Sequence, residues 1–309
     1  MRRLADLIAL ANPLVLASGP LGRNADLLIK HAAVAGGVVA KSATWDPQAG
    51  NPPPRVARFG EYGLLNWEDL PNPGYAAFAG ELRRAKAGCG QVPLIASIGP
   101  LEDLDQQTTI ARTFEAAGVD AIELDFKWGA RVRGNLLGRI TEAVKAAVRV
   151  PVIAKLAPFQ GDIVEAAREV SAAGADAICA INSLFPAMVI DVRRRAPALS
   201  VGHGGLSGAP LLPLAVSAIY RIYEAVDVPI IGSGGVISGE DALQLIMAGA
   251  QAVQMCTVVM RDGPSAFTRI NGELAALLAE LGFTSLEDAV GIAHRAPLHI
   301  PHSATAGER

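Results

Sequence analysis

Short aliphatic runs alternate along the chain with longer segments in which apolar positions recur every three or four residues. Strands buried on both faces read as near-continuous apolar runs, and parallel strands are joined by helices, so this alternation predicts repeated βαβ units. Eight runs qualify: LVLAS (14–18), VVAKS (38–42), LIASI (94–98), AIELDF (121–126), VIAKL (152–156), AICAIN (177–182), PIIGSG (229–234) and AVQMCT (252–257). Alanine-rich helices are predicted between them, for example over 105–117 and 162–173, each ending on an Ala-Gly step. The fragments AAGVDAIEL, AAGADAICA and MAGAQAVQM use one unit three times. The predicted fold class is therefore α/β: a (β/α)8 TIM barrel with a parallel eight-stranded core. One barrel domain is expected over residues 1–283, with a C-terminal extension over 284–309.

Length and composition agree with one barrel. The chain has 309 residues, and such barrels commonly run to about 250 or more. With 51% hydrophobic and 18% charged residues, a large core can form and disorder is excluded on composition. A net charge of −3 gives no electrostatic case for nucleic acid. The apolar runs are too short to span a bilayer, so no membrane association is expected. Arg2 and Arg3 precede an apolar run in the manner of a signal peptide, but Asp6 and the Asn12-Pro13 turn interrupt it, so the expected address is cytoplasmic. Cys89, Cys179 and Cys256 are scattered and odd in number, without the spacing of a disulfide framework, zinc site or iron–sulfur cluster; no metal is expected.

The strands end in polar residues: Ser18, Lys41, Ser97, Asp125, Lys155, Asn182, the pair Gly234-Gly235 and Thr257. Polar groups are costly to bury, and in a barrel the C-terminal strand ends form the reactive face, so together they point to a ligand. Any one of them alone reads equally as an ordinary loop starter. GSGGV (232–236) follows strand seven and MCT (255–257) closes strand eight, the usual phosphate site of such barrels, where glycines let backbone N–H groups approach an anion. A Rossmann reading of GSGG fails, because the full G-x-G-x-x-G spacing is missing.

The strings LASGPLG (16–22), KSATWDPQAGNPPPR (41–55), LNWEDLPNPG (65–74), AKLAP (154–158), INSL (181–184), GGLSG (204–208), IIGSGGVISGEDA (230–242) and QMCT (254–257) resemble dihydroorotate dehydrogenases of the soluble class. The resemblance runs over about residues 12–282 and implies FMN at the barrel mouth. Carried over by position, it places Ser18, Lys41, Ser42, Ser97, Asp125, Lys155, Ile181, Gly208, Gly234, Gly235, Cys256 and Thr257 around the flavin. Amides at Gly234, Gly235, Cys256 and Thr257 would hold the phosphate, and Lys155 would stabilise an anionic reduced ring. The alternative for Lys155 is an interior lysine paired with Asp125. Asn66, Trp67, Asn182 and Ser183 are the expected substrate contacts, and Lys41, Asp125, Lys127 and Trp128 the expected catalytic group.

The family's fourth strand normally runs into Asn-x-Ser-Cys-Pro-Asn, which carries the proton-accepting base. Here Asp125 replaces the first asparagine, Trp128 stands at the base and Ala130 replaces the last asparagine. An indole nitrogen only donates, so the usual route is closed. Asp69 likewise stands where the second substrate segment has glycine. Asp125, Lys127, Glu68 and His203 are candidates to replace the base. Trp45, Trp67 and Trp128 fall in catalytic-face loops, where they either stack on ligand or pin the loops. Lys127, Arg131 and Arg133 form a basic stretch that attracts an anion or is simply solvated, and His294, His299 and His302 belong to a tail beyond the barrel.

The expected function is that of an FMN-dependent oxidoreductase passing hydride between flavin N5 and a small, cyclic substrate of the CH–CH type other than dihydroorotate. The alternatives are a non-catalytic flavin- or phosphate-binding subunit, or a true dihydroorotate dehydrogenase with an unusual base. The resemblance implies a homodimer or a partner electron-transfer subunit, and any redox centre besides flavin would sit on that partner.

Overall fold

Alternation within each strand decides what the barrel encloses. The computed structural model describes residues 2–100, 102–126, 135–158 and 162–295. Eight parallel strands close the barrel: β1 (Leu14–Leu16), β2 (Gly37–Val39), β3 (Leu94–Ile98), β4 (Ala121–Phe126), β5 (Val152–Leu156), β6 (Ala177–Ala180), β7 (Ile230–Ser233) and β8 (Ala250–Met255). Each pairs with its neighbours in sequence, and β8 pairs back to β1. These are the eight runs the sequence predicts, with β1, β2, β6, β7 and β8 ending one to three residues earlier, so that Ser18, Lys41, Asn182, Gly234 and Thr257 lie just beyond the ladder.

Inward positions near the N-terminal ends of the strands form a small apolar cluster that includes Val15, Val39, Ile95, Ala121, Ile153, Ala177, Cys179, Ile231 and Ala252, closed from below by Leu4 and Ile8. Side chains two residues apart on a strand share a face. The next inward positions are therefore Lys41 after Val39, Ser97 after Ile95, Glu123 and Asp125 after Ala121, Lys155 after Ile153, Ser233 after Ile231 and Gln254 after Ala252. The interior changes from apolar to polar within one repeat, and that polar layer is the floor of the site. Outward positions such as Leu16, Val38, Ile122, Leu124, Ala154 and Val253 join the large core under the helices.

The surrounding helices are α1 (Ala25–Ala32), α2 (Tyr75–Gly88), α3 (Leu104–Ala116), α4 (Leu136–Ala147), α5 (Ile163–Ala172), α6 (Leu212–Tyr223), α7 (Gly239–Met247), the short α8 (Thr257–Asp262) and α9 (Ser265–Glu280). Several starts are fixed by side chains. Asp103 accepts from the amides of Asp105 and Gln106, and Ser238 forms a reciprocal capping box with Asp241, devices that each contribute about 0.5–2 kcal/mol. None of the described helices is long and apolar enough to cross a membrane.

A second layer escaped the sequence reading. Val56–Phe59, Gly63–Asn66, Gly204–Gly208 and Leu184–Ala187 form a four-stranded antiparallel sheet above the C-terminal face. Its strands are short and one reads GGLSG, so neither length nor β-propensity marks them. Beyond the barrel, α10 (Leu286–Ala289) and the turn at Ile292–Arg295 pack back on it. His294 stacks on Tyr220 and Tyr223 at 3.8 and 4.6 Å between centroids, and its Nε2 lies 3.0 Å from the Ala248 carbonyl. His299 and His302 lie outside the described residues.

Candidate active site

The polar layer opens into a cleft at the C-terminal ends of the strands, roofed by the antiparallel sheet. Counted out into its open mouth, the cleft holds about 1090 Å³ of space free of protein atoms.

Its floor is a charged network. Lys155 Nζ donates to Gln254 Oε1 at 2.7 Å, and Gln254 Nε2 donates to Glu123 Oε2 at 2.6 Å. Glu123 Oε1 faces Lys155 Nζ at 3.5 Å and makes no hydrogen bond among the described residues. Burial works against the charge on Lys155, but Glu123, aided by Cys179 and Asp125, outweighs it and holds its pKa above the ordinary lysine range. Lys155 therefore stays cationic at any physiological pH. Its ion-pair partner is Glu123, not Asp125, although Asp125 sits opposite Lys155 in the β4–β5 register. Asp125 turns instead to neutral donors.

Those donors form a hydroxyl cluster. Ser42 Oγ donates to Asp125 Oδ2 at 3.1 Å and lies 2.9 Å from Ser97 Oγ and 3.1 Å from Ser18 Oγ. A hydroxyl has one proton and two lone pairs, so Ser42 donates to the carboxylate while Ser18 and Ser97 donate to Ser42. Asn182 Nδ2 donates to Asp125 Oδ1 at 2.7 Å, and the Ser183 amide fixes Asn182 Oδ1 at the same distance. Asp125 thus ends a chain of hydroxyls that reaches the half-buried Ser18 at the cleft wall.

Lys41, from the end of β2, reaches the roof. Its Nζ donates to Glu68 Oε2 at 2.9 Å. Glu68 follows the sheet strand Gly63–Asn66, so the pair ties the roof to the barrel.

The opposite wall is made of backbone. Gly234 and Gly235 have φ of +117° and +88°, the left-handed region that favours glycine. A Cβ on Gly235 would come within 2.4 Å of the Leu212 amide nitrogen. Among the described residues no backbone hydrogen bond takes up the Gly234 or Gly235 amides, and the amides at the start of α8 are unpaired by geometry. Such a concavity of free N–H groups suits an anion, and with Lys155 below it the donor set fits a flavin phosphate and ring. Thr257 Oγ1 donates to Ser207 Oγ at 3.1 Å. Burial pushes the Cys256 thiol up to about 11, against the pull of Lys155 and Lys41, so it is a protonated wall residue.

The cleft brings together Ser18, Lys41, Ser42, Asp125, Lys155, Ile181, Gly208, Gly234, Gly235, Cys256 and Thr257 of the expected cofactor set, and Asn66, Asn182 and Ser183 of the expected substrate set. Two of the expected residues do not line the cleft. Ser97 is fully buried in the polar layer, with its hydroxyl 2.9 Å from that of Ser42. Trp67 stacks on Phe185 at 4.4 Å and does not line the cleft. Trp45 likewise stacks on Tyr75 at 4.8 Å. Both rings are taken up by neighbouring protein rings, which pins the loops that carry them. His203 is exposed and outside the cleft lining. Lys127, Trp128, Ala130, Arg131 and Arg133 lie outside the described residues. Sequence reasoning missed Glu123 and Gln254, yet the period-two register marks both: each is two residues beyond an inward alanine.

With this geometry in hand, similarity to known proteins decides the family. The dihydroorotate dehydrogenase family model matches residues 6–278. The chain belongs to the dihydroorotate dehydrogenase family. It is accordingly a flavin-dependent oxidoreductase of the CH–CH type. Similar relatives include the catalytic subunit of dihydroorotate dehydrogenase B (NAD(+)) from Methanothermobacter thermautotrophicus, 39% identical over 297 residues that cover 93% of this chain and 96% of the relative. The subunit of the same name from Desulforudis audaxviator is 37% identical over 298 residues, covering 93% and 95%. That from Methanosarcina acetivorans is 38% identical over 300 residues, covering 93% and 94%.

Proposed function

We propose that this family member binds FMN and moves hydrogen across a CH–CH bond of a small ring other than dihydroorotate, working beside a partner electron-transfer subunit. The observation that carries the reading is the cleft itself: a left-handed glycine cradle with free amides on one wall and a buried Lys155, ion-paired with Glu123, on the floor. FMN, when bound, supplies the ring that accepts or returns a hydride. The amides of Gly234, Gly235, Cys256 and Thr257 hold its phosphate. Lys155, kept charged by Glu123, favours negative charge on the ring. Ser18, Ser42, Ile181 and Gly208 line the ring, and Ser97 orients Ser42 from beneath.

Asn66 and Ser183 contact the substrate, and Asn182 holds Asp125. Asp125 serves as base, receiving the proton from Ser18 at the cleft wall by way of Ser42. Lys127 and Trp128, in the segment that normally carries the base, complete the proposed catalytic group. The departure at Asp125, Trp128 and Ala130 supports a changed substrate, since losing one general base costs about 10²–10⁴ in rate. The relatives' description as catalytic subunits supports the partner.

The test uses full-length protein loaded with FMN and freed of excess. Yellow protein that releases FMN on denaturation is expected; colourless protein overturns the cofactor assignment. Turnover of dihydroorotate at about 1–10³ s⁻¹, ordinary for an enzyme, overturns the changed substrate.

A further inference from the structure

The charges around the cleft carry information about what enters it. Among the described residues, two cations and three anions face or underlie the cavity. Lys155 is opposed by Glu123 on the floor. Lys41 and Glu68 both line the cleft and oppose each other at 2.9 Å, with side chains only 8% and 17% exposed. Asp125 accepts only from Ser42 and Asn182, both neutral, and forms no ion pair within 4.0 Å among the described residues. Both lysines are thus already matched, and among the described residues one carboxylate is left without a partner of opposite charge.

A substrate carrying a carboxylate would need a cation. To reach Lys41 it would have to displace Glu68, leaving a largely buried glutamate unpaired beside a second negative charge. An uncharged ring meets no such obstacle. Its carbonyl and N–H groups can pair with Asn66 and Ser183, the neutral polar groups of the same wall. The turn beyond Glu68 is committed to this arrangement: Asp69 and Leu70 have φ of +58° and +50°, a conformation that non-glycine residues keep only where surrounding contacts fix it.

We propose that Glu68 is the specificity-determining residue of the cleft: by occupying Lys41 it admits an uncharged ring bearing amide-type groups and rejects its carboxylate-bearing counterpart. The inference rests on the proposed function only in taking the cleft as the place where substrate binds.

The experiment compares two probes, dihydroorotate and dihydrouracil, which share a ring and differ by the carboxylate. Full-length FMN-loaded protein is titrated with each, and binding is read from the flavin absorbance and by calorimetry. Wild type is expected to bind dihydrouracil at least tenfold more tightly than dihydroorotate. Glu68→Gln is expected to tighten dihydroorotate at least tenfold while moving dihydrouracil less than threefold. Wild-type preference for dihydroorotate overturns the proposal. So does a Glu68→Gln protein whose affinity for dihydroorotate is unchanged, whether or not dihydrouracil binds. Glu68→Ala serves if the glutamine variant does not fold, with the same two criteria. Protein that holds no flavin counts against the proposed function alone, because calorimetry still reads the preference.

Discussion

Lys155 and Glu123 face each other across the barrel floor at 3.5 Å, with Gln254 bonded to both. The folded-state pKa of Lys155 is raised, so the stability it contributes is fully present below the unfolded lysine value of about 10.4 and is lost only as pH rises through the higher folded value. Across pH 6 to 9 Lys155 therefore contributes no pH dependence. Glu123→Gln strands a buried ammonium and is expected to cost about 3–5 kcal/mol. Burial then disfavours the charge, so the deficit should be smaller at pH 9.5 than at pH 7. Urea unfolding at the two pH values checks both statements; an unchanged deficit would show that Glu123 is not the counter-charge.

Gly235→Ala places a Cβ against the Leu212 backbone in a left-handed conformation. We expect a loss of about 1–3 kcal/mol and much reduced FMN content after gel filtration. Gly60→Ala is the control. It has φ of +56° and nothing within 4 Å of its Cβ, so it should cost about 1–2 kcal/mol and leave flavin content intact.

Cys256, with its thiol at about 11, should resist alkylation. At pH 8 its thiolate fraction falls on the order of 10²-fold below that of a free cysteine with pKa about 8.5. Mass spectrometry of iodoacetamide-treated folded protein should show slow labelling that accelerates toward pH 10. Rapid labelling at pH 8 would contradict the buried, neutral thiol.

His31 is 2% exposed and its Nδ1–H donates to the Leu27 carbonyl at 2.7 Å. Burial lowers its pKa despite that bond, with Lys30 adding to the effect. The unfolded chain therefore binds the proton more readily, and stability should fall as pH drops below about 6.5. The urea midpoint of wild type is expected to decrease from pH 8 to pH 5.5, and by less in His31→Gln; equal decreases in the two proteins would remove His31 as the cause.

What the sequence determined by itself was local and periodic. Eight apolar runs separated by helical periods required a parallel barrel, since only strands covered on both faces read that way, and the strand-end residues from Ser18 to Thr257 marked one face as reactive. The GSGG turn announced its backbone, because glycine is the residue that tolerates the left-handed conformation seen at Gly234 and Gly235. Pairing across the closed barrel was decided only by the tertiary structure. Glu123 and Gln254 are 131 positions apart and Lys41 and Glu68 are 27 apart, and no local period connects them. Sequence chemistry offered Asp125 as the partner of Lys155; closure of the barrel gave it Glu123, leaving Asp125 to Ser42 and Asn182. Which charge neutralises which depends on distances set by strand register and barrel closure, and those belong to the whole fold.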